Sequence, residues 1–183
     1  FWLPSLIVAD KGFSLAVAGV VVAIGGAISA PANFLGGWLS DRLGRPLAVI
    51  GTALAMLSLT LAVIPFVDSL GLLIVVIAVN SVFTQFYFGP LFAVPLQRMS
   101  TAPAGLVSGF GNFCANLGGF ACSFGLGAIK DLAGSFDIGL WALAAACLVG
   151  LAAVWVIRRI PVSTPTDASG PAPRAGPADR KVR

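Results

Sequence analysis

Polar side chains recur at helical spacing inside two otherwise apolar stretches of this sequence. Asn112 and Asn116 lie four residues apart, so they share one face of a helix. Asn80 and Tyr87 also recur at helical spacing, and Gln85 lies beside them. These side chains can donate hydrogen bonds to a carboxylate or a hydroxyl group without carrying a charge. The pattern fits a binding cavity and fits hydrogen bonds between helices, and both interpretations stay open.

The sequence lacks most of the residue types that form catalytic and metal-binding sites. The sequence has no histidine and no glutamate, so neither a Ser-His-Asp nor a Cys-His catalytic group can form within it. The three cysteines, Cys114, Cys122 and Cys147, lie in apolar stretches and form no C-x-x-C pair. No cluster suits a metal ion, and no phosphate-binding loop of the G-x-x-x-x-G-K-[ST] type occurs. The sequence therefore predicts no enzyme, no metal and no cofactor.

The composition indicates that a lipid bilayer surrounds most of the chain. Of its 183 residues, 58% are hydrophobic and only 10% are charged, and the mean hydropathy is +0.98. Soluble domains carry roughly 25% charged residues. About 20 apolar residues span a bilayer as a helix, and unpaired backbone groups are not tolerated there. We therefore predict an all-α polytopic membrane protein.

The apolar stretches predict five full membrane helices after a truncated one. The chain opens at Phe1 without an initiating Met, so residues 1–8 are expected to be the cut end of a helix. The full helices are expected at about residues 14–35, 47–66, 70–96, 104–129 and 138–157. Residues 1–160 would form one transmembrane half-bundle. Residues 161–183 change to Pro, Ala, Gly, Ser, Thr and charged residues, and we predict a disordered tail.

Basic residues are distributed unequally between the two sides of the predicted membrane. Only Lys11 and Lys130 fall on the side opposite Asp41. The residues on the Asp41 side are Arg42, Arg45, Arg98, Arg158, Arg159, Arg174, Arg180, Lys181 and Arg183. This excess predicts that the Asp41 side and the C-terminus are cytoplasmic. It also explains the net charge of +4 without a nucleic-acid partner.

The segment from Gly37 to Pro46, GWLSDRLGRP, is expected to be a charged loop between the first two full helices. Its glycines allow a turn and a close approach of two helix ends. Asp41 can cap a helix or form an ion pair, and Arg42 and Arg45 can bridge to helix ends or to lipid phosphates. A generic cytoplasmic turn is the alternative. The candidate conformational-loop residues are Gly37, Asp41, Arg42, Gly44 and Arg45.

This segment resembles the loop signature of the major facilitator superfamily, G-x-L-[AS]-D-R-x-G-R-[RK], with Pro46 in place of the usual basic residue. Other segments resemble the anion:cation symporter family within it. They are Phe1–Pro4 with Lys11–Ser14, Gly89–Pro95, Asn112–Phe120, Lys130–Asp131 and Gly134–Phe136. Phe92 replaces a Trp that this family often has, and Cys122-Ser123 replaces its usual Gly-Pro.

The resemblance implies the C-terminal half of a twelve-helix carrier, from the end of helix seven to helix twelve, in the inner or plasma membrane. It implies alternating-access transport of a small organic anion, such as a sugar acid or an aromatic carboxylate, coupled to protons. The partners would then be the anion, protons, the lipid bilayer and the missing N-terminal half. The expected substrate-cavity residues are Asn112, Phe92, Tyr87, Gln85, Asn80 and Asn116. No charged residue is expected at mid-membrane depth, so the charges for anion binding and proton coupling would lie in the N-terminal half. A drug or sugar exporter and a non-functional truncated transporter are the alternatives.

Overall fold

The computed structural model describes residues 2–98 and 101–159, and every regular element in these ranges is a helix. The short α1 (Leu3–Ser5) continues as a π-helical turn (Leu6–Asp10), and α3 (Pro46–Val63) continues as a 3-10 turn (Ile64–Phe66). The other helices are α2 (Leu15–Leu43), α4 (Leu70–Phe86), α5 (Phe88–Arg98), α6 (Thr101–Ala133) and α7 (Asp137–Arg159). The all-α prediction is confirmed. The predicted tail, residues 161–183, lies outside the described residues.

Four helical segments are long and apolar enough to cross a membrane. They are Leu15–Leu43, Pro46–Phe66, Leu70–Pro95 and Asp137–Arg159. α6 has 33 residues and is also long enough to cross, but it is rich in glycine, carries two asparagines and is not among these four. The chain is therefore a multi-pass membrane protein.

Local sequence signals place the helix ends. Ser14 and Ser69 precede α2 and α4, and their hydroxyl groups accept hydrogen bonds from the backbone N–H groups of Val17 (3.3 Å) and Leu72 (3.4 Å). Ser side chains favour this position because they satisfy an N–H group that has no partner within the helix. Pro46 occupies the first turn of α3, where its missing N–H group has no cost.

The core lies where α2, α3, α4 and α7 meet, and it includes the π-helical turn after α1. Its buried residues include Ile7, Val21, Leu73, Ile77 and Phe136. Two hydrogen bonds also join helices in this region. The Ser58 hydroxyl donates to the Ala144 carbonyl (3.0 Å), and the Asn80 amide donates to the Thr60 hydroxyl (2.8 Å). Such bonds between membrane helices contribute about 0.6 kcal/mol each on average.

Most of α6 stands away from this core. Between residues 105 and 122 its side chains are exposed, apart from the half-buried Ser108, and Phe120 is 70% exposed. Near its C-terminal end, α6 packs on α7, where the Leu126 side chain fills the space beside Gly139. One long face of α6 is therefore left uncovered by the described part of the chain.

Candidate functional site

A break between α4 and α5 shapes the candidate site. Pro90 has no N–H group, so it cannot donate to the Phe86 carbonyl four residues earlier, and its ring crowds that carbonyl. The helix is interrupted at Tyr87 and resumes at once, since the Leu91 N–H donates to the Tyr87 carbonyl (2.9 Å). The interruption between α4 and α5 therefore lies at Tyr87. Pro95 lies inside α5 without a second interruption.

A cavity of about 220 Å³ lies between this break and the middle of α6. Its aromatic wall is formed by Tyr87, Phe88 and Phe92. The ring centroids of Tyr87 and Phe88 are 5.3 Å apart, and those of Phe88 and Phe92 are 6.3 Å apart. Ser108 and Asn112 of α6 face this wall across the cavity. Apolar walls with a few polar groups are typical of small-molecule sites.

The chemistry available in the cavity is neutral hydrogen bonding. None of its lining residues carries a charge. The hydroxyl groups of Tyr87 and Ser108 and the amide of Asn112 can each donate a hydrogen bond. The Asn116 amide donates to the Asn112 side-chain oxygen (3.3 Å) and to its backbone carbonyl (2.8 Å), which leaves the Asn112 NH₂ group available to a ligand. The cavity can orient a small polar solute but cannot neutralise or protonate it by itself.

The structure brings together three of the six predicted cavity residues, namely Tyr87, Phe92 and Asn112. Asn80 lies elsewhere, bonded to Thr60, on the border of a second cavity of about 240 Å³. Asn116 lines a shallow depression farther along α6, beside Phe120 and Ser123.

Gln85 is half-buried and does not line the first cavity. Sequence reasoning missed Phe88 and Ser108. Both lie four residues before a predicted residue, Phe92 and Asn112 respectively, so helical spacing was the signal that could have found them.

The charged segment after the first full span is mostly helical. The predicted loop from Gly37 to Pro46 is wrong for Gly37 to Leu43, which form the last turns of α2. The turn itself is short because Gly44 adopts a left-handed conformation (φ +59°) that ends the helix, and its N–H donates to the Asp41 carbonyl. Pro46 then begins α3.

The charges of this segment point away from the bundle. Asp41, Arg42 and Arg45 are exposed, and no ion pair joins them to another described side chain. The guanidinium carbon of Arg42 lies 5.1 Å from the centre of the Trp38 ring. Ser40 is buried, and its hydroxyl has no hydrogen-bond partner among the described residues.

Two glycines let α2 cross the α4–α5 break at very short range. A Cβ atom added at Gly36 would overlap the Phe86 carbonyl oxygen, the same acceptor that Pro90 leaves without its helical donor. One turn farther along, a Cβ at Gly89 would lie 3.0 Å from the Gly37 Cα. Gly36 precedes the motif and was not predicted as a functional residue, because the sequence alone does not show which helix it meets.

At the opposite end of the bundle four charged side chains form two ion pairs. The Phe136 N–H donates to the Asp10 carboxylate (2.7 Å), whose other oxygen lies 3.6 Å from the Lys130 ammonium. The neighbouring Lys11 donates to the Pro65 carbonyl (2.9 Å) and lies 3.5 Å from the Asp68 carboxylate. Asp10 and Lys11 thus tie the end of the first helix to the loops after α3 and α6.

Four long apolar helices, packed around a common core, define a multi-pass membrane protein. A family model for the Major Facilitator Superfamily matches residues 1–123. The chain belongs to this superfamily, as the sequence motif predicted.

Curated relatives add a more specific similarity. The probable nitrate/nitrite transporter NarK2 of Mycobacterium tuberculosis, represented in two strains, is 32% identical over 167 residues. The matched region covers 88% of this chain and 41% of the relative, so the chain spans about two fifths of that protein's length. No solved structure matches the chain.

Proposed function

We propose that this chain is the second half of a transporter that moves a small anion across the membrane by alternating access. The observation that carries this proposal is the cavity between the α4–α5 break and α6, where Tyr87, Phe92 and Asn112 converge. In many transporter folds the substrate lies near the membrane midplane at the interface of two structural repeats, beside interrupted helices. An interrupted helix beside a small cavity is the feature that this chain shares with them.

The missing half would complete the site. The cavity supplies neutral donors and an aromatic wall, so a positive charge for the anion and a carboxylate for proton coupling must come from the N-terminal half. The uncovered face of α6, which includes Phe113 and Phe120, adjoins the cavity and is a suitable surface for that half.

Nitrate or nitrite is the first candidate substrate, because the relative that matches 88% of this chain is described as a probable nitrate/nitrite transporter. An organic carboxylate taken up with protons is the second candidate. It is favoured by the resemblance of Gly89–Pro95 and Asn112–Phe120 to the anion:cation symporter family.

Uptake by the full-length carrier in proteoliposomes separates these candidates. Labelled nitrate, nitrite, an aromatic carboxylate and a sugar acid would be compared, with and without a pH gradient. Asn112→Ala should raise the KM for the anion about five- to tenfold, the effect of losing one hydrogen bond of about 1 to 1.5 kcal/mol. Asn33→Ala is the matched control, because Asn33 is exposed on α2 and does not line the cavity, and it should leave the KM unchanged. Efflux of hydrophobic dyes without uptake of any anion would reject the proposal in favour of an exporter.

The same carrier is proposed to lie in the inner or plasma membrane with its C-terminus in the cytoplasm. The excess of basic residues at the Asp41 side supports this orientation. A reporter enzyme that works only in the cytoplasm should be active when it is fused after Arg183. A reporter enzyme that works only outside the cytoplasm should be active when it is inserted between Val67 and Ser69. The reverse result would invert the proposed topology.

A further inference from the structure

A groove of about 310 Å³ runs along the outside of the bundle between α3 and α7. Small residues of α3 form its floor, because Ala48, Gly51 and Ala55 repeat along one side of the helix. Leu151 and Val154 of α7 pack against Gly51, where an added Cβ would lie 3.5 to 3.6 Å from them. The groove therefore combines tight helix packing with a shallow apolar channel on the outer surface of the two helices.

The groove ends at an aromatic and cationic group. Trp155 and Arg158 of α7 line it at the level where α3 begins. The guanidinium carbon of Arg159 lies 3.8 Å from the centre of the Trp155 ring, so the Arg159 side chain covers that ring. Arg158 is exposed, forms no ion pair with any described side chain, and no acidic residue lines the groove. Trp and basic side chains are enriched where membrane helices meet the headgroups.

We propose that this α3–α7 groove is a binding site for an anionic glycerophospholipid. The acyl chain lies along Ala48, Gly51 and Ala55, and the phosphate is bound by Arg158. Basic pockets between membrane helices on the cytoplasmic side suit anionic headgroups. The apolar channel distinguishes this site from a simple surface charge, since it provides a seat for the tail as well as for the phosphate.

The chain itself offers a matched comparison. Arg42 lies over Trp38 at the end of α2, as Arg159 lies over Trp155 at the end of α7, and neither Arg42 nor Trp38 lines the groove. General attraction of basic residues to anionic lipid would act on Arg42 and Arg158 alike. Specific lipid binding in the groove would depend on Arg158 and on the small residues of the groove floor, and would not depend on Arg42.

The experiment is native mass spectrometry of the full-length carrier, with phosphatidylglycerol and phosphatidylcholine of identical acyl chains as probes. The wild type should retain phosphatidylglycerol about fivefold better than phosphatidylcholine, the effect expected for one basic residue at an anionic headgroup. Arg158→Gln should remove this preference, and Arg158→Lys should keep most of it. Ala55→Leu, which fills the groove, should lower retention of both lipids.

Arg42→Gln and Ala23→Leu are the controls, because they alter an exposed arginine and an exposed alanine outside the groove. The proposal would be overturned if the wild type retained phosphatidylglycerol and phosphatidylcholine equally. An Arg42→Gln loss as large as that of Arg158→Gln would overturn it too, since it indicates general attraction. Soluble glycerol phosphate that competes as well as the lipid would show that a free phosphate, and no acyl chain, occupies the site. Circular dichroism checks that each variant keeps its helix content. Lipid retention is independent of the proposed transport, so either idea can fail alone.

Discussion

The two ends of this helical bundle are held together by different interactions. At the Asp10 end, formed by Asp10 to Ser14 and the loops after α3 and α6, charged side chains bind to each other and to backbone groups. At the Asp41 end, formed by Gly36 to Pro46, charged side chains are exposed, and close backbone packing of Gly36 and Gly37 holds the helices.

The two ends therefore use their charged side chains differently, one to stabilise the fold and the other for contacts outside the described residues. The charges at the Asp10 end are used within the chain, so they fasten its loops. The charges at the Asp41 end are not paired within the described residues, although the motif that contains them identifies the superfamily. In the proposed full-length carrier, their interactions are therefore expected with lipid or with its N-terminal half.

The largest effect is expected at the backbone crossing of the Asp41 end. Gly36→Val should lower the free energy of unfolding by about 3 kcal/mol, because the new side chain would overlap the Phe86 carbonyl, a backbone group with little freedom to move. Titration with SDS in mixed micelles measures this loss.

Gly26→Val is the matched control, since Gly26 is on the same helix and has open space around its Cβ position. It should cost far less than Gly36→Val. Equal losses would mean that valine disfavours this helix generally, and the crossing would lose its assigned role.

The next effect is expected at the Asp10 carboxylate. Asp10→Ala should cost about 2 kcal/mol, because it leaves the Phe136 N–H and the Lys130 ammonium without their shared partner. The same SDS titration applies. Asp131→Ala, an exposed carboxylate near the same end, should have little effect, and a similar loss in both variants would argue against a specific tie.

Substitutions of Lys11 and Asp68 test whether the exposed ion pair between them contributes to the stability of this end. Lys11→Met should cost about 1 kcal/mol, because it removes the hydrogen bond to the Pro65 carbonyl from a largely buried side chain. Asp68→Asn should change stability less, since that side chain is 95% exposed and such pairs are screened by solvent. If Asp68→Asn proves the more damaging change, the ion pair rather than the carbonyl bond fastens the loop.

The helices could be predicted from sequence because hydropathy reports local chain properties. Every predicted full span has a helix at its position, and the serines and proline that begin α2, α3 and α4 were readable signals. Helix ends were harder to place. α2 continues through Gly37 to Leu43, and its Gly36 and Gly37 lie close to Phe86 and Gly89 at the α4–α5 break, a distant part of the chain.

The candidate site was only partly predictable for the same reason. Helical spacing groups residues on one face, but it does not show which other helix that face meets. Asn80 and Asn112 looked equivalent in sequence, yet Asn80 bonds to Thr60 of α3 while Asn112 lines the cavity beside Tyr87. The ion pairs at the Asp10 end join residues far apart in sequence, and no local pattern indicates them.

The smallest effect on stability is expected for Asp41→Asn, and this variant separates the two ends most directly. Asp41 is exposed and lacks an ion pair among the described residues. SDS titration should therefore give the same free energy of unfolding for Asp41→Asn and for the wild type. We propose that Asp41, one of the candidate conformational-loop residues, holds one conformation of the full-length carrier through contacts outside this half. Anion uptake by that carrier should therefore fall. A stable variant with normal uptake would leave Asp41 as an ordinary residue of a cytoplasmic turn. A destabilised variant would show that the Asp41 end, like the Asp10 end, depends on its charges for internal cohesion.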